Sequence, residues 1–157
     1  MNMESQYPFR YLTGFRLRVF RAAADRIVPP AEGAPGGGSL STAAMVDWSL
    51  DKMDAKLRSK FLLLLFVIQG LGILFGGKFF TANSPAAQDR QLRWMENNRL
   101  RLMRLGFFGL STFVKMGYYT REENFPNFRY PGPLFPQTPY PDPTVRQISQ
   151  GAIRLEP

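Results

Sequence analysis

The stretch FLLLLFVIQGLGILFGG, residues 61–77, decides the fold, because it is long, strongly apolar and close to the middle of the chain. It lies between Lys60 and Lys78, and only Gln69 and four glycines interrupt it. A helix that crosses a membrane needs about 20 consecutive apolar residues, and this stretch falls slightly short of that length. We therefore expect a helix to about Gln69 in the middle of a small bundle, apolar all round because neighbours cover every side, and then a glycine-broken turn.

A membrane-spanning helix at about residues 61–77 is the alternative for this stretch. Its basic flanks, Lys60 and Lys78, would then lie near anionic lipid. Gly72 and Gly76 form a Gly-x-x-x-Gly pair, which lets two membrane helices approach closely, although glycines at the end of a helix also mark a break. On this interpretation the chain is a small membrane-embedded structural subunit.

The segments on either side of this stretch predict further helices. Upstream, apolar residues recur every three to four positions from Leu12 to Ile27, and the prolines at 29 and 30 end that helix because proline disfavours helical geometry in the residue before it. Downstream, Ser84 followed by Pro85 is typical of a helix start, and this helix should run to about Asn97 or Asn98.

A last helix follows, with a stripe of aromatic, Met and aliphatic residues that is typical of a bundle core rather than of a cofactor site. The residues of the stripe are Leu100, Met103, Phe107, Leu110, Val114 and Tyr118. Together these patterns predict an all-α fold: an extended lead at 1–10, a helical bundle at 11–120 and an extended C-terminal tail at 121–157.

Residues 31–38, AEGAPGGG, form a glycine-rich loop before the next predicted helix start at Ser39, Ser41 and Thr42. A phosphate-binding P-loop would need Gly-Lys followed by Ser or Thr, and no lysine lies near this loop. We interpret it as a flexible linker.

The tail at 121–157 is rich in proline, asparagine and aromatic residues, so that no regular element fits its sequence. Its aromatic side chains are too apolar for a free linker. We expect it to lie extended along another surface, either its own bundle or a partner chain. Because loops of this length are uncommon within compact domains, the length of the tail favours a partner.

Composition limits the chemistry that 157 residues, about one domain, can perform. The chain has no Cys and no His, which excludes thiolate-bound clusters, covalently attached c-type haem and Ser-His-Asp catalysis, and its 12 acidic residues are scattered. We expect no catalytic, cofactor or metal site. The net charge is +8, and the arginines of the predicted helices are interrupted by apolar residues. This pattern is typical of exposed helix surfaces, and the sequence contains no nucleic-acid-binding motif.

Four features occur together in the chain: FRAAADRIVPP at 20–30, the apolar helix, WMENN at 94–98, and GYYT at 117–120 followed by YPGP at 130–133. Together they resemble the gluconate 2-dehydrogenase subunit 3 family over about residues 15–133. The resemblance implies a small subunit in a hetero-oligomer with a large FAD-dependent subunit of the glucose-methanol-choline type, often with a cytochrome c subunit. FAD would lie in that partner and c-type haem in a third subunit, with neither in this chain.

The resemblance also implies a periplasmic or membrane-associated complex. Subunits of this family often begin with a twin-arginine export signal, a pattern that residues 1–10 do not show, so a cytoplasmic complex is the other expectation. The unusually apolar run at 61–75 departs from the family and leaves lipid contact open. Arginine and aromatic residues dominate interface energetics, so we predict partner contacts from these types and an adjoining proline. They are Arg10, Arg16, Arg18, Phe125, Phe128, Tyr130, Pro131 and Phe135.

Overall fold

A computed structural model describes residues 7–131 together with Thr144 and Ile148. In this part of the chain five α-helices form a bundle, which confirms the predicted all-α fold. They are α1 (Gly14–Ile27), α2 (Leu40–Lys52), α3 (Ala55–Gly76), α4 (Pro85–Glu96) and α5 (Arg101–Tyr119). Two 3-10 helices, Phe80–Ala82 and Glu122–Phe128, follow α3 and α5.

Local capping signals start α2 and α4 where the sequence predicts. Ser39 precedes α2, and its hydroxyl accepts a hydrogen bond from the Thr42 N–H. Ser84 precedes α4 in the same way, with Pro85 at the first helical position. A boundary that the sequence analysis does not mark lies at Asp54, whose carboxylate accepts hydrogen bonds from the first turn of α3.

The core lies where α1 meets the other four helices, and α1 contacts each of them. Phe20 on α1 is fully buried there. Two buried amides link α3 to α4 and its preceding turn: Gln91 Nε2 donates to the Ile68 carbonyl at 2.7 Å, and Asn83 Nδ2 donates to the Gly72 carbonyl at 2.7 Å. These bonds hold the middle of α3 in the bundle.

The prediction for α3 was wrong in two respects. The helix does not end near Gln69 but continues to Gly76, and Gly77 in the left-handed conformation terminates it. It is also not buried on all sides, because only Phe61, Leu65, Ile68 and Gly72 are buried among its 22 residues. The neighbouring elements cover one side of α3, and its opposite side remains exposed.

The glycine-rich loop is packed against α1, although we expected it to be flexible. Gly36, Gly37 and Gly38 are buried, and Asp25 Oδ1 accepts a hydrogen bond from the Gly38 N–H at 2.8 Å. A Cβ at Gly36 or Gly38 would overlap the Asp25 carboxylate. The loop therefore needs glycine for close approach to α1.

The first part of the tail forms the 3-10 helix Glu122–Phe128, where we predicted extended chain. Arg121 is buried, its Nη1 donates to Ser39 Oγ at 2.8 Å, and burial lowers the pKa of its guanidinium to about 10. Ile148 is also buried, packed with Tyr7 and Met45. These described parts of the tail thus contact the bundle of their own chain.

Candidate docking surface

The N-terminal lead is held on α2 by one buried carboxylate. Asp47 accepts hydrogen bonds from the backbone N–H groups of Arg10, Tyr11 and Leu12 at 2.7–3.0 Å, and from the Tyr7 hydroxyl at 3.2 Å. Burial, and then the charge of Asp47, raise the pKa of the Tyr7 phenol well above its usual range. This fixed lead positions Arg10, the first of the predicted partner contacts.

The three predicted arginine contacts all lie at or near the surface. Arg10 is exposed and forms an ion pair with Asp51 at 3.3 Å. Arg16 is half-buried, and its guanidinium lies over the Phe66 ring at 5.5 Å from the centroid. Arg18 is exposed on α1.

The predicted contacts in the tail follow Arg121, whose guanidinium donates to Ser39 at the start of α2. Phe125 packs edge-on against Tyr130, with 5.0 Å between the ring centroids, and Tyr130 and Pro131 are exposed. The side chain of Phe128 and the whole of Phe135 lie outside the described residues. The described structure shows no contact between the predicted arginines and the predicted tail residues.

A different set of residues forms a continuous apolar surface along the exposed side of α3. Leu63 and Leu74 expose 61% and 78% of their surface, and Phe66 and Ile73 are exposed between them. These positions recur at helical spacing, so they share one side of the helix. Gly70 lies on the same side.

Gly70 leaves a hollow in this side of α3. A Cβ at this position would meet no atom within 4 Å, so nothing in the described fold requires glycine there. A glycine inside a helix costs about 0.5–1 kcal/mol relative to alanine. Phe66 and Leu74 lie one turn to either side of this hollow.

Helix α5 carries further exposed leucines next to its contact with α3. Leu64 packs against Gly106, where an added Cβ would lie 2.8 Å from Leu64 Cδ1. Beside Gly106 and one turn before it, Leu105 and Leu102 are exposed, Leu102 by 73%. We use the name apolar surface for Leu63, Phe66, Gly70, Ile73, Leu74, Leu102 and Leu105.

The helices that carry the apolar surface have positive charges only. Neither α3 nor α5 contains Asp or Glu, whereas Lys56 and Lys60 lie near the start of α3 and Lys78 follows its end. Arg101 and Arg104 lie in the first turn of α5. A surface that covers these helices would therefore be favoured by acidic groups at its border.

Helix α3 is long and apolar enough to cross a membrane by length and composition. Its covered side, however, belongs to the bundle: Leu65 and Ile68 are fully buried, and Gln69 Nε2 donates to Thr81 Oγ1 at 3.0 Å. A helix surrounded by lipid would have to give up these contacts. In this fold α3 offers one side, rather than its whole circumference, to a partner or to lipid.

The apolar surface could not be predicted from the sequence, because a helix that is apolar all round was expected at the centre of the bundle. The one local signal was Gly70 within a run of good helix formers, which we interpreted as a helix end.

Within residues 7–131 and at the two further described positions, no group of three acidic side chains could hold a metal ion. Comparisons with known protein families, with curated proteins and with solved structures find no match for this chain.

Proposed function

We propose that this chain is a non-catalytic accessory subunit that binds a large FAD-dependent dehydrogenase of the glucose-methanol-choline type through the apolar surface. In this role it keeps the flavoprotein folded and oriented within an electron-transferring complex, with FAD in the partner and c-type haem in a cytochrome c subunit where one is present. The resemblance of residues 15–133 to the gluconate 2-dehydrogenase subunit 3 family supports the choice of partner. The exposure of the apolar surface carries the proposal.

The size of the exposed side chains explains why a partner is needed. Monomeric soluble proteins rarely leave large contiguous apolar patches bare. Covering a large aliphatic or aromatic side chain contributes about 1.5–3 kcal/mol, and Leu63, Phe66, Ile73 and Leu74 are all exposed on one helix. A complex that covers them gains stability that the isolated chain lacks.

The hollow at Gly70 favours a protein over lipid as the covering surface. A protein can insert one side chain between Phe66 and Leu74, and such packing gives an interface its shape complementarity. Lipid chains are fluid and gain little from a fixed hollow. A partner side chain that packs into this space would offset the cost of a glycine in mid-helix.

The test is to purify the tagged full-length chain from its source under native conditions, as wild type and as Gly70→Leu. We expect a stoichiometric flavoprotein with the wild type, identified by mass spectrometry and by flavin absorbance. Leucine should fill the hollow and reduce recovery of the flavoprotein about tenfold or more, a change that corresponds to about 1.4 kcal/mol.

The matched control is Ala86→Leu, which adds the same side chain to an exposed position on α4. This variant should retain the flavoprotein. Recovery of the wild-type chain alone without detergent, or equal recovery of flavoprotein with Gly70→Leu, would contradict the proposal.

A membrane surface is the second candidate for the apolar surface, favoured by the absence of acidic residues from α3 and α5. An amphipathic face bordered by lysine and arginine binds anionic lipid headgroups. In that case the chain should sediment with phosphatidylglycerol vesicles and less with phosphatidylcholine vesicles. Gly70→Leu should then bind at least as well as wild type, because leucine adds apolar area, whereas it should weaken a protein interface.

A further inference from the structure

A cleft of about 650 Å³ lies between α1, α4 and α5, and none of the residues of the apolar surface lines it. Its apolar wall includes Ile27, Leu92 and Phe107, and the small Ser111 also lines the cleft. Leu92 and Ser111 are buried, whereas Ile27 and Phe107 are half-buried. The volume is in the range of sites for small organic ligands.

Four cations and two carboxylates line the same cleft. The cations are Arg26, Arg93, Arg104 and Lys115, and the carboxylates are Asp89 and Glu96. Arg26 binds Asp89 through two hydrogen bonds of 2.7 and 2.9 Å, so this pair satisfies its own charges. Outside this pair, the lining has one carboxylate, Glu96, and three cations, Arg93, Arg104 and Lys115.

Arg104 is held in place at the cleft. Its Nη1 donates to the carbonyls of Asn98 and Arg99, at 2.6 and 3.1 Å. Because its guanidinium has five N–H donors, others remain for an anion. Lys115 lies three turns further along α5 and also lines the cleft, so both ends of its α5 wall carry a cation.

We propose that this cleft binds an amphiphilic carboxylate, with the headgroup at Arg104 or Lys115 and the aliphatic chain along Ile27, Leu92 and Phe107. Charge complementarity selects the anion: the lining carries an excess of cations, and the carboxylate of Asp89 is already satisfied. The apolar wall beside these cations selects a carboxylate with an alkyl chain over a small inorganic anion. The proposal is independent of the accessory-subunit role.

The test is calorimetric titration of the full-length chain with octanoate, with 1-octanol as the uncharged ligand of the same chain length. We expect octanoate to bind one site and octanol to bind about tenfold more weakly or worse, because a charge-assisted hydrogen bond is lost. The double variant Arg104→Gln, Lys115→Gln should weaken octanoate binding roughly tenfold to a hundredfold.

Two control variants locate the site. Arg101→Gln removes an exposed cation of α5 that does not line the cleft, and it should bind octanoate as wild type does. Phe66→Ser alters the apolar surface and should also bind normally. Circular dichroism confirms that each variant is folded before titration.

Three results in the titrations of the ligands and the double variant would overturn the proposal. They are no heat of binding with octanoate, equal affinity for octanol, or unchanged affinity in the folded double variant. Loss of binding in Phe66→Ser would place the ligand on the apolar surface instead, and would also overturn it. None of these results bears on the flavoprotein, whose recovery with the chain is a separate measurement.

Discussion

At the scale of single residues, Asp47 has the largest number of hydrogen bonds to its carboxylate among the described side chains. It is 1% exposed and joins residues 7–12 to α2. A buried carboxylate is stabilised here by backbone N–H groups rather than by an ion pair, as in other sites where consecutive amides surround an anion.

We predict that Asp47→Asn lowers the free energy of unfolding by about 2–4 kcal/mol. The substitution removes the charge and turns one acceptor into an N–H group that faces backbone donors. Urea denaturation followed by circular dichroism measures the change.

Asp51→Asn is the matched control one turn further along α2. Asp51 accepts from Arg10 and from the Tyr11 hydroxyl but is half-buried, so its loss should cost less than about 1 kcal/mol. Equal destabilisation by the two variants would show that the burial of Asp47 does not explain its contribution to the free energy of unfolding.

At the scale of the helix, Gly70 and Gly72 of α3 have opposite surroundings. Gly70 faces open space, whereas a Cβ at Gly72 would overlap the backbone of Phe80 in the following 3-10 helix. Gly72 therefore allows the chain to turn back closely over α3, and Gly70 has no such reason within the described bundle.

We predict that Gly70→Ala raises the stability of the isolated chain by about 0.5–1 kcal/mol, since alanine favours the helix. Gly72→Ala should lower it by about 1–3 kcal/mol, because the backbone of Phe80 must move. Thermal unfolding of both variants measures the pair of effects. The explanation fails if the two substitutions shift stability in the same direction.

At the scale of the whole molecule, the Arg26–Asp89 ion pair joins α1 to α4 across 63 positions of sequence. The hydrogen bond from Arg26 holds the pKa of the Asp89 carboxyl below its usual value. A carboxyl whose pKa is lowered in the folded state stabilises the protein above its unfolded pKa, and this contribution is lost as the pH falls through the folded pKa.

We predict that Arg26→Gln lowers stability by about 1 kcal/mol or less at neutral pH, since both side chains are partly exposed. The difference from wild type should shrink as the pH falls through the folded pKa of Asp89. Denaturation at a series of pH values measures it. In an Asp89→Asn background the arginine substitution should have little effect at any pH, and a constant difference would contradict this account.

The sequence by itself determined most of the element boundaries. Ser39, Ser84 with Pro85, and Pro29 act within one turn of the chain, so their effect does not depend on the rest of the fold. The periodic stripe of α5 predicted the buried side of its second half, where Leu110, Val114 and Tyr118 are buried. Its first member, Leu100, was predicted to face the core but is exposed, because it lies at the start of the helix beyond the packed part of the bundle. Asp54 is the same kind of local signal. We did not predict a helix start there, because we considered only the apolar run that follows it.

Only the tertiary structure decided which side of α3 is buried and where the cleft lies. A helix that is apolar all round has no period from which to predict its covered side, so the neighbours that pack on it decide. The glycine loop shows the same limit, because Gly36 and Gly38 are explained by Asp25, which lies on another element. The cleft, too, collects residues of three helices that are far apart in sequence, and their proximity follows from packing alone.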